Sequence, residues 1–262
     1  TRVGAGNSYE GKYFRQTADI NQTNLHRVGN GYPFSGIYDG QGHSIPLAMP
    51  FYFVDGATIK NLHITGWGGG FKFDAGLIYR LNQSDKTTNI INCRSSVEIK
   101  SGVQHDFDGT HGGFVGVTRA SINFIGCVFD GKFVGVYGPY CRSNGGFIGW
   151  TEKEASVYFK DCIFAPELVS MGDSLSCTFS RARKDTSLHF TNCYYTQAYG
   201  TEQGKQMDSI TAGEYVTSLA FAGVETVYNV SGITAYANNM GLKYGDKFYA
   251  GNGDVVELSL SH

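Results

Sequence analysis

An internal repeat is the feature of this sequence that most restricts its fold. Five segments share one short pattern, and its last position recurs after 31, 34, 35 and 31 residues. Those last positions are Leu62, Cys93, Cys127, Cys162 and Cys193. Apolar residues alternate with polar ones before each of them, which is typical of a strand with one buried face. A period of this length indicates stacked supersecondary units, because a single unit cannot bury its apolar side alone.

A second element recurs between these segments. Residues 112–116 and 145–149 share a Gly-Gly-Phe-apolar-Gly pattern, and residues 51–53 and 75–78 are weaker copies. No stretch has the pattern of a long capped helix. We therefore predict an all-β chain folded as a parallel β-helix, with coils running from about residue 30 to residue 197. An antiparallel sandwich could also use short strands, but it would not need the same residue at the same point of every unit.

The cysteines of the repeat are expected to stack inside the coils as reduced thiols. Rungs about 4.8 Å apart fall within the range of disulfides, but parallel side chains do not bring the sulfur atoms into a favourable torsion. Leu62 takes the equivalent place in the first coil, so the position favours a small or medium apolar group. Cys141 and Cys177 lie outside the stack and could be paired or free. No Cys-x-x-Cys spacing occurs, so no zinc site is predicted.

A polar residue precedes four of the five recurring positions. These residues are Asn61, Asn92, Asp161 and Asn192. Either they accommodate a bend of the backbone, or their side chains stack from coil to coil. On both interpretations their role is structural.

The ends of the stack need covering, because an open terminal coil presents unpaired strand edges. Residues 1–33 are expected to cover the first coil. After Gln197 the pattern changes to short strand-like segments with Gly-containing turns between them. We predict a β-helix with its N-terminal cap over residues 1–200 and a small β-rich cap or appendage over residues 201–262. A strand-like segment close to the last residue leads us to expect one module of a larger secreted protein.

Composition and charge exclude several classes of protein. The chain is 14% aromatic and only 17% charged, which does not suit a disordered segment. Its longest apolar runs are far too short to cross a bilayer. The formal net charge is −2, so no overall basic field exists to attract nucleic acid or anionic lipid. We expect neither nucleic acid nor a membrane as a partner.

Residues 34–45, followed by residues 51–53 and 57–62, resemble the repeats of the GLUG-motif type. The resemblance covers roughly residues 10–200, although its Gly-Leu-Phe-Gly-like step is degenerate in the first coil and lost near residues 177–179. Proteins with these repeats are secreted, multi-modular proteins of gut-dwelling bacteria. The resemblance implies a right-handed parallel β-helix and an extracellular or cell-surface location. The chain is also similar to β-helical modules attached to xylanases, which bind the substrate without cleaving it.

The loops that leave the cysteine-bearing strands vary most, and three of them are expected to project from one side of the stack. They span residues 66–74, 104–109 and 136–142, and each combines aromatic rings with hydrogen-bonding groups. A sugar has an apolar face and a rim of hydroxyls, so its binding requires both kinds of group. Stacked coils would place these groups about 4.8 Å apart, which is comparable to one sugar of a chain.

The candidate carbohydrate-binding residues follow from these loops. We expect Trp67, Tyr137 and Tyr140 to stack on sugars, and His105, Asp106 and Arg142 to form hydrogen bonds with hydroxyls. Trp150 lies on the opposite bend and is either a second contact site or part of the core edge.

The pair Asp106 and Asp108 is the best argument for an enzyme. In an extended segment the two lie on one face about 6.7 Å apart, a separation that overlaps that of inverting glycosidases. Two carboxylates on one wall flank a sugar poorly, however. Asp-x-Asp-Gly is also a common turn and a weak calcium signal, and no other cofactor or metal is expected. His105 and His111 could donate hydrogen bonds to hydroxyls, although histidines in loops are usually just solvated.

These observations together favour non-catalytic binding of a plant cell-wall polysaccharide, with xylan favoured by the resemblance. The module is expected to be a monomer that holds a covalently linked catalytic domain near insoluble substrate. The first alternative is a polysaccharide hydrolase or lyase that uses Asp106 and Asp108. The second alternative is a surface adhesin.

Overall fold

The computed structural model describes residues 7–22, 24–101, 109–135, 143–184 and 186–206, together with four short strands after residue 227. The strands are β1 (Tyr13–Arg15), β2 (Ile37–Asp39), β3 (Ser44–Ile45), β4 (Phe51–Val54), β5 (Thr58–Lys60), β6 (His63–Ile64), β7 (Trp67–Gly68), β8 (Ile78–Leu81), β9 (Thr88–Ile91), β10 (Arg94–Ser95), β11 (Glu98–Ser101), β12 (Val115–Thr118), β13 (Ile122–Ile125), β14 (Val128–Phe129), β15 (Lys132–Gly135), β16 (Ile148–Thr151), β17 (Ser156–Lys160), β18 (Ile163–Phe164), β19 (Leu168–Val169), β20 (Ser180–Ala182), β21 (Ser187–Thr191), β22 (Tyr194–Tyr195), β23 (Lys205–Gln206), β24 (Tyr228–Val230), β25 (Ile233–Ala235), β26 (Lys247–Tyr249) and β27 (Val255–Glu257). No helix occurs in these parts of the chain, so none has the length and hydropathy that crossing a bilayer requires.

Strands β1 to β23 form four parallel sheets that are the faces of a β-helix. The first face has the order β1-β2-β5-β9-β13-β17-β21, and the second has the order β23-β22-β18-β14-β10-β6-β3. The third face has the order β19-β15-β11-β7, and the fourth has the order β20-β16-β12-β8-β4. A complete coil visits the first, second, third and fourth faces in turn, as β5, β6, β7 and β8 do, whereas the coil of β2, β3 and β4 has no described strand on the third face. The predicted parallel β-helix is confirmed, and the antiparallel sandwich is excluded for these strands.

The corner after each first-face strand explains the recurring polar residue. Asn61, Asn92, Asp161 and Asn192 all have positive φ angles, between 49° and 55°, which asparagine and aspartate adopt more readily than most residues. Their side chains also stack: the Asn61 amide donates to Asp39 Oδ1 (3.0 Å), and the Asn92 amide donates to Asn61 Oδ1 (2.9 Å). Further along, the Asn192 amide donates to Asp161 Oδ1 (3.2 Å). Both interpretations therefore hold, and we call this row of side chains the corner ladder.

The four cysteines of the repeat are buried and free, as expected. They lie in the corners between the first and second faces rather than within strands, which corrects the expectation that strands carry them. Each thiol contacts backbone carbonyls, as Cys93 Sγ does with Ile91 O at 3.4 Å. Burial raises the pKa of Cys93 and of Cys162 well above the ordinary value for a thiol. Cys177 is free and half-buried, while Cys141 lies outside the described residues.

Aromatic side chains continue the stacking inside the coils. The rings of Phe124, Phe159 and Phe190 are nearly parallel, with successive centroids 5.1 Å apart. Phe129 and Phe164 stack in the same way at 5.5 Å. Burying each such side chain contributes about 1.5–3 kcal/mol, so the high aromatic content stabilises the interior of the coils.

Further strands extend the sheets at the ends of the stack, while the predicted capping stays a prediction. β1 pairs in parallel with β2, so part of the predicted N-terminal cap extends the first face by one strand. β23 pairs in parallel with β22 on the second face. Beyond residue 227, β24 pairs with β25 and β26 pairs with β27, and both pairs are antiparallel. The proposed domain boundary near residue 200 stays a prediction.

Candidate functional site

The variable loops connect the third face to the fourth face. They leave the third-face strands, which are the second strands along the chain after the recurring corner. The expectation that they leave the cysteine-bearing strands is therefore corrected. Their far ends are aligned by parallel bridges that join Ala75 to Gly112, Gly112 to Gly145, and Gly145 to Cys177. The described residues that flank the loops are therefore in register along one side of the β-helix.

A groove with a volume of about 530 Å³ lies beside the ends of these loops. Three of its lining residues, Arg80, Val117 and Trp150, are paired across the fourth-face strands β8, β12 and β16. In β8 and β16 the first and last residues are buried, whereas Arg80 and Trp150 are half-buried. The groove therefore follows the stacking direction of the coils along the outer side of the fourth face.

Trp150 is held in place by Arg181, whose guanidinium carbon lies 5.1 Å from the centroid of the indole ring. The Arg181 Nη1 group donates to the carbonyl of Ser143 (2.9 Å) and to Thr110 Oγ1 (3.1 Å). Its Nε group donates to the carbonyl of Leu175 (3.1 Å). Burial lowers the pKa of Arg181 from its ordinary value, an effect that nearby acidic groups oppose. These bonds fix the guanidinium, and through it the position of the indole.

Charged side chains surround this ring. The groove is lined by Arg80 and Arg119 as well as by Glu152 and Asp173. Glu152 Oε2 lies 3.5 Å from the Nη1 atom of Arg183. Donors and acceptors thus stand beside an aromatic platform, which is an arrangement suited to a ligand with an apolar face and a polar rim.

Trp67 lies elsewhere on the surface. It belongs to β7 on the third face, is 63% exposed, and has the Lys100 Nζ atom 5.4 Å from its ring. It is not among the described residues that line the groove. Its proposed contact with a ligand stays a prediction.

The other predicted loop residues fall in parts of the chain that the structure does not describe. His105, Asp106, Tyr137, Tyr140 and Arg142 lie outside the described residues, and so does Asp108. Gly109, the last residue of the second loop, and Ser143, the first residue after the third loop, line the groove. Of the residues predicted for the site, Trp150 is the one that the structure places there. It is neither core nor fully exposed.

Several lining residues escaped the sequence analysis. Arg80 and Arg119 are isolated charges, while Glu152 and Arg181 lie among neighbouring charged residues that are typical of a solvated surface, so none of the four belongs to a recognisable motif. A signal was nevertheless present. Arg80 and Trp150 occupy the same place of the second recurring element, where an outward-facing position repeats from coil to coil.

His111 is buried, so the expectation of a solvated loop histidine is wrong. Its Nδ1 atom accepts a hydrogen bond from the backbone N–H of Asp74 (3.0 Å), and burial lowers its pKa to about 4. Asp74 is also buried and accepts hydrogen bonds from the N–H groups of Gly70 and Phe71. Burial raises the pKa of Asp74 to about 6 despite those bonds. Both side chains stabilise the base of a loop.

Metal ligands are not clustered in the described part of the chain, where no group of three or more His, Cys, Asp or Glu side chains could hold an ion. The weak calcium signal at Asp106 and Asp108 falls outside the described residues. Calcium at that position stays a prediction.

Comparison with known proteins supports the fold alone. No protein-family model matches the chain, and no curated protein matches it. Among solved structures, the chain is similar to the crystal structure of a "putative immunoglobulin A1 protease" from Bacteroides ovatus, with a TM-score of 0.54. The two chains are 15% identical, and the match covers 94% of this chain and 85% of the other. At this identity the likeness extends to the β-solenoid architecture and not to an activity.

Proposed function

We propose that this protein is a non-catalytic carbohydrate-binding module for a plant cell-wall polysaccharide, with xylan as the favoured ligand. The observation that carries the proposal is the position of Trp150, an indole braced by Arg181 in a groove of about 530 Å³. An indole face stacks on the apolar face of a sugar, while arginine and carboxylate groups bind its hydroxyls.

The direction of the groove suits a linear glycan. Arg80 and Trp150 are two rungs apart in the same row, which corresponds to about 10 Å between their backbones. This span is comparable to two sugars of a chain. A glycan that lies along the coils would therefore touch side chains from successive rungs.

The biological setting follows from the family resemblance and is part of the proposal. The module would be extracellular or on the cell surface of a gut bacterium, monomeric, and linked to a catalytic domain. By keeping that domain near insoluble substrate it would raise the effective concentration of enzyme at the surface.

Affinity gel electrophoresis tests the proposal on gels that carry xylan or one of several other polysaccharides. We expect xylan to retard the wild-type protein, and Trp150→Ala to weaken that binding by about tenfold or more, as is typical of a central aromatic contact. Tyr158→Ala is the matched control, because Tyr158 is 50% exposed on β17 of the first face, where it stacks on His189. Failure of every polysaccharide to retard the wild type would reject the proposal.

The same gels test Trp67. If Trp67 contacts the ligand, Trp67→Ala weakens retardation while the fold survives, and unchanged retardation rejects that placement. Release of reducing sugars or unsaturated products from a polysaccharide panel, lost in Asp106→Asn, would favour the enzyme instead. Glycan arrays that stay blank would favour the adhesin.

A further inference from the structure

The groove is more basic than the protein as a whole. The chain has a formal net charge of −2. Among its described lining residues, four are basic and two are acidic: Lys72, Arg80, Arg119, Arg181, Glu152 and Asp173. A local excess of positive charge in a negatively charged protein points to a ligand that carries negative charge.

Both acidic side chains of the groove already have partners. Glu152 lies 3.5 Å from Arg183, which is not among the described lining residues. Asp173 accepts hydrogen bonds from the Ser143 hydroxyl (2.8 Å) and from the backbone N–H of Leu175 (2.9 Å). The ion pair partly offsets the charge of Glu152, and the two hydrogen bonds use part of the capacity of the Asp173 carboxylate.

Arg80 and Arg119 have no such partners in the described part of the chain, where neither guanidinium forms a hydrogen bond or an ion pair. The Nε atom of Arg80 is buried with no acceptor among the residues that the structure describes. Buried donors are normally satisfied, so an orphaned donor beside a groove calls for an explanation. A guanidinium offers a planar fork of N–H donors that matches a carboxylate.

We propose that the groove selects a polysaccharide bearing uronic acids, with Arg80 and Arg119 binding carboxylates while Trp150 stacks on a sugar of the backbone. This inference rests on the proposed carbohydrate-binding function and names the class of glycan. A xylan with uronic acid side groups meets both requirements, because its backbone is neutral and its side groups carry the charge. The two-rung separation of Arg80 and Trp150 lets one chain engage both.

The test compares glucuronoxylan with the same polymer after chemical reduction of its carboxyl groups. We expect the wild type to bind the acidic polymer at least about tenfold more tightly than the reduced polymer, since charge-assisted hydrogen bonds are lost on reduction. Arg80→Gln and Arg119→Gln should each weaken binding to the acidic polymer by about tenfold. Lys12→Gln is the charge-matched control at an exposed site on the N-terminal side of β1. Thermal melts identify any variant that fails to fold. Because Arg119 is exposed, Arg119→Gln should disturb folding less than Arg80→Gln does.

The outcomes separate this inference from the proposed function. Equal binding of the two polymers by the wild type overturns the inference and leaves carbohydrate binding intact. Binding of neither polymer, nor of any other polysaccharide, rejects the proposed function itself. Equally tight binding of dextran sulfate also overturns the inference, because the groove would then respond to any polyanion rather than to carboxylates.

Discussion

Gly126 interrupts the corner ladder, and this gap permits a precise test of how the coils are held together. Gly126 has the same positive φ (62°) and the same place in the repeat as Asn92 in the coil before it. Because glycine has no side-chain amide, Asn92 Oδ1 is buried without a hydrogen-bond donor among the described residues. We expect Gly126→Asn to supply that donor and to stabilise the protein.

The magnitude follows from one added hydrogen bond. An intramolecular hydrogen bond contributes about 1 kcal/mol, and replacing glycine also lowers the entropy of the unfolded chain, an effect that the left-handed conformation partly offsets. A net gain of about 1 kcal/mol raises the melting temperature of a chain of this size by about 2–4 °C. Thermal unfolding followed by circular dichroism measures this shift.

The control is Gly126→Ala, which introduces a side chain at the same positive φ but provides no donor. It should lower the melting temperature, because the left-handed region costs an ordinary residue about 1–2 kcal/mol. If Gly126→Asn lowers the melting temperature as much as Gly126→Ala, then the side chains do not continue the ladder and our reasoning is wrong. A double-mutant cycle with Asn92→Ala measures the coupling between the two side chains directly.

Two further predictions concern buried titratable groups. Burial raises the pKa of Asp74 from 3.8, its ordinary value, to about 6 in the folded protein. Asp74 therefore favours the folded state at pH values below about 3.8, and that contribution is lost as the pH rises through 6. The lowered pKa values of His111 and His63 (about 4) act in the opposite direction, favouring the folded state above about pH 6.5. Asp74→Asn should therefore steepen the gain in stability between about pH 4 and pH 6.5 in urea titrations, and an unchanged slope would contradict these shifts. Since burial raises the pKa of Cys93 and Cys162, iodoacetamide at pH 8 should label them only after unfolding, and rapid native labelling found by peptide mass mapping would refute their burial.

Much of the architecture was predictable because the β-helix repeats its local rules. The polar residue before each corner must adopt a positive φ, and the next residue must fill a small buried space, so both leave a mark at every period. The free thiols of Cys93 and Cys127 follow from the same logic. Local patterns predicted little about the surface, where no packing constraint repeats.

The candidate site was only partly predictable for that reason. Trp150 was identified, but its role was undecided between a contact site and the core edge. Arg80 and Arg119 belong to no recognisable motif, because an isolated charge looks like an ordinary solvated residue. His111 was expected in solvent and is buried, since only the packing of neighbouring coils determines which side of a loop faces inwards.

The amino-acid sequence by itself determined that the chain stacks, how far apart its rungs lie along the chain, and which residues form the corners. Short-range periodicity is sufficient for this, because each coil must bury the same face as its neighbours. Only the tertiary structure decided that Arg80, Val117 and Trp150 stand in one row of a groove, although each is more than 30 residues from the next. The register between strands brings these side chains together, and register depends on contacts between coils rather than on any local segment.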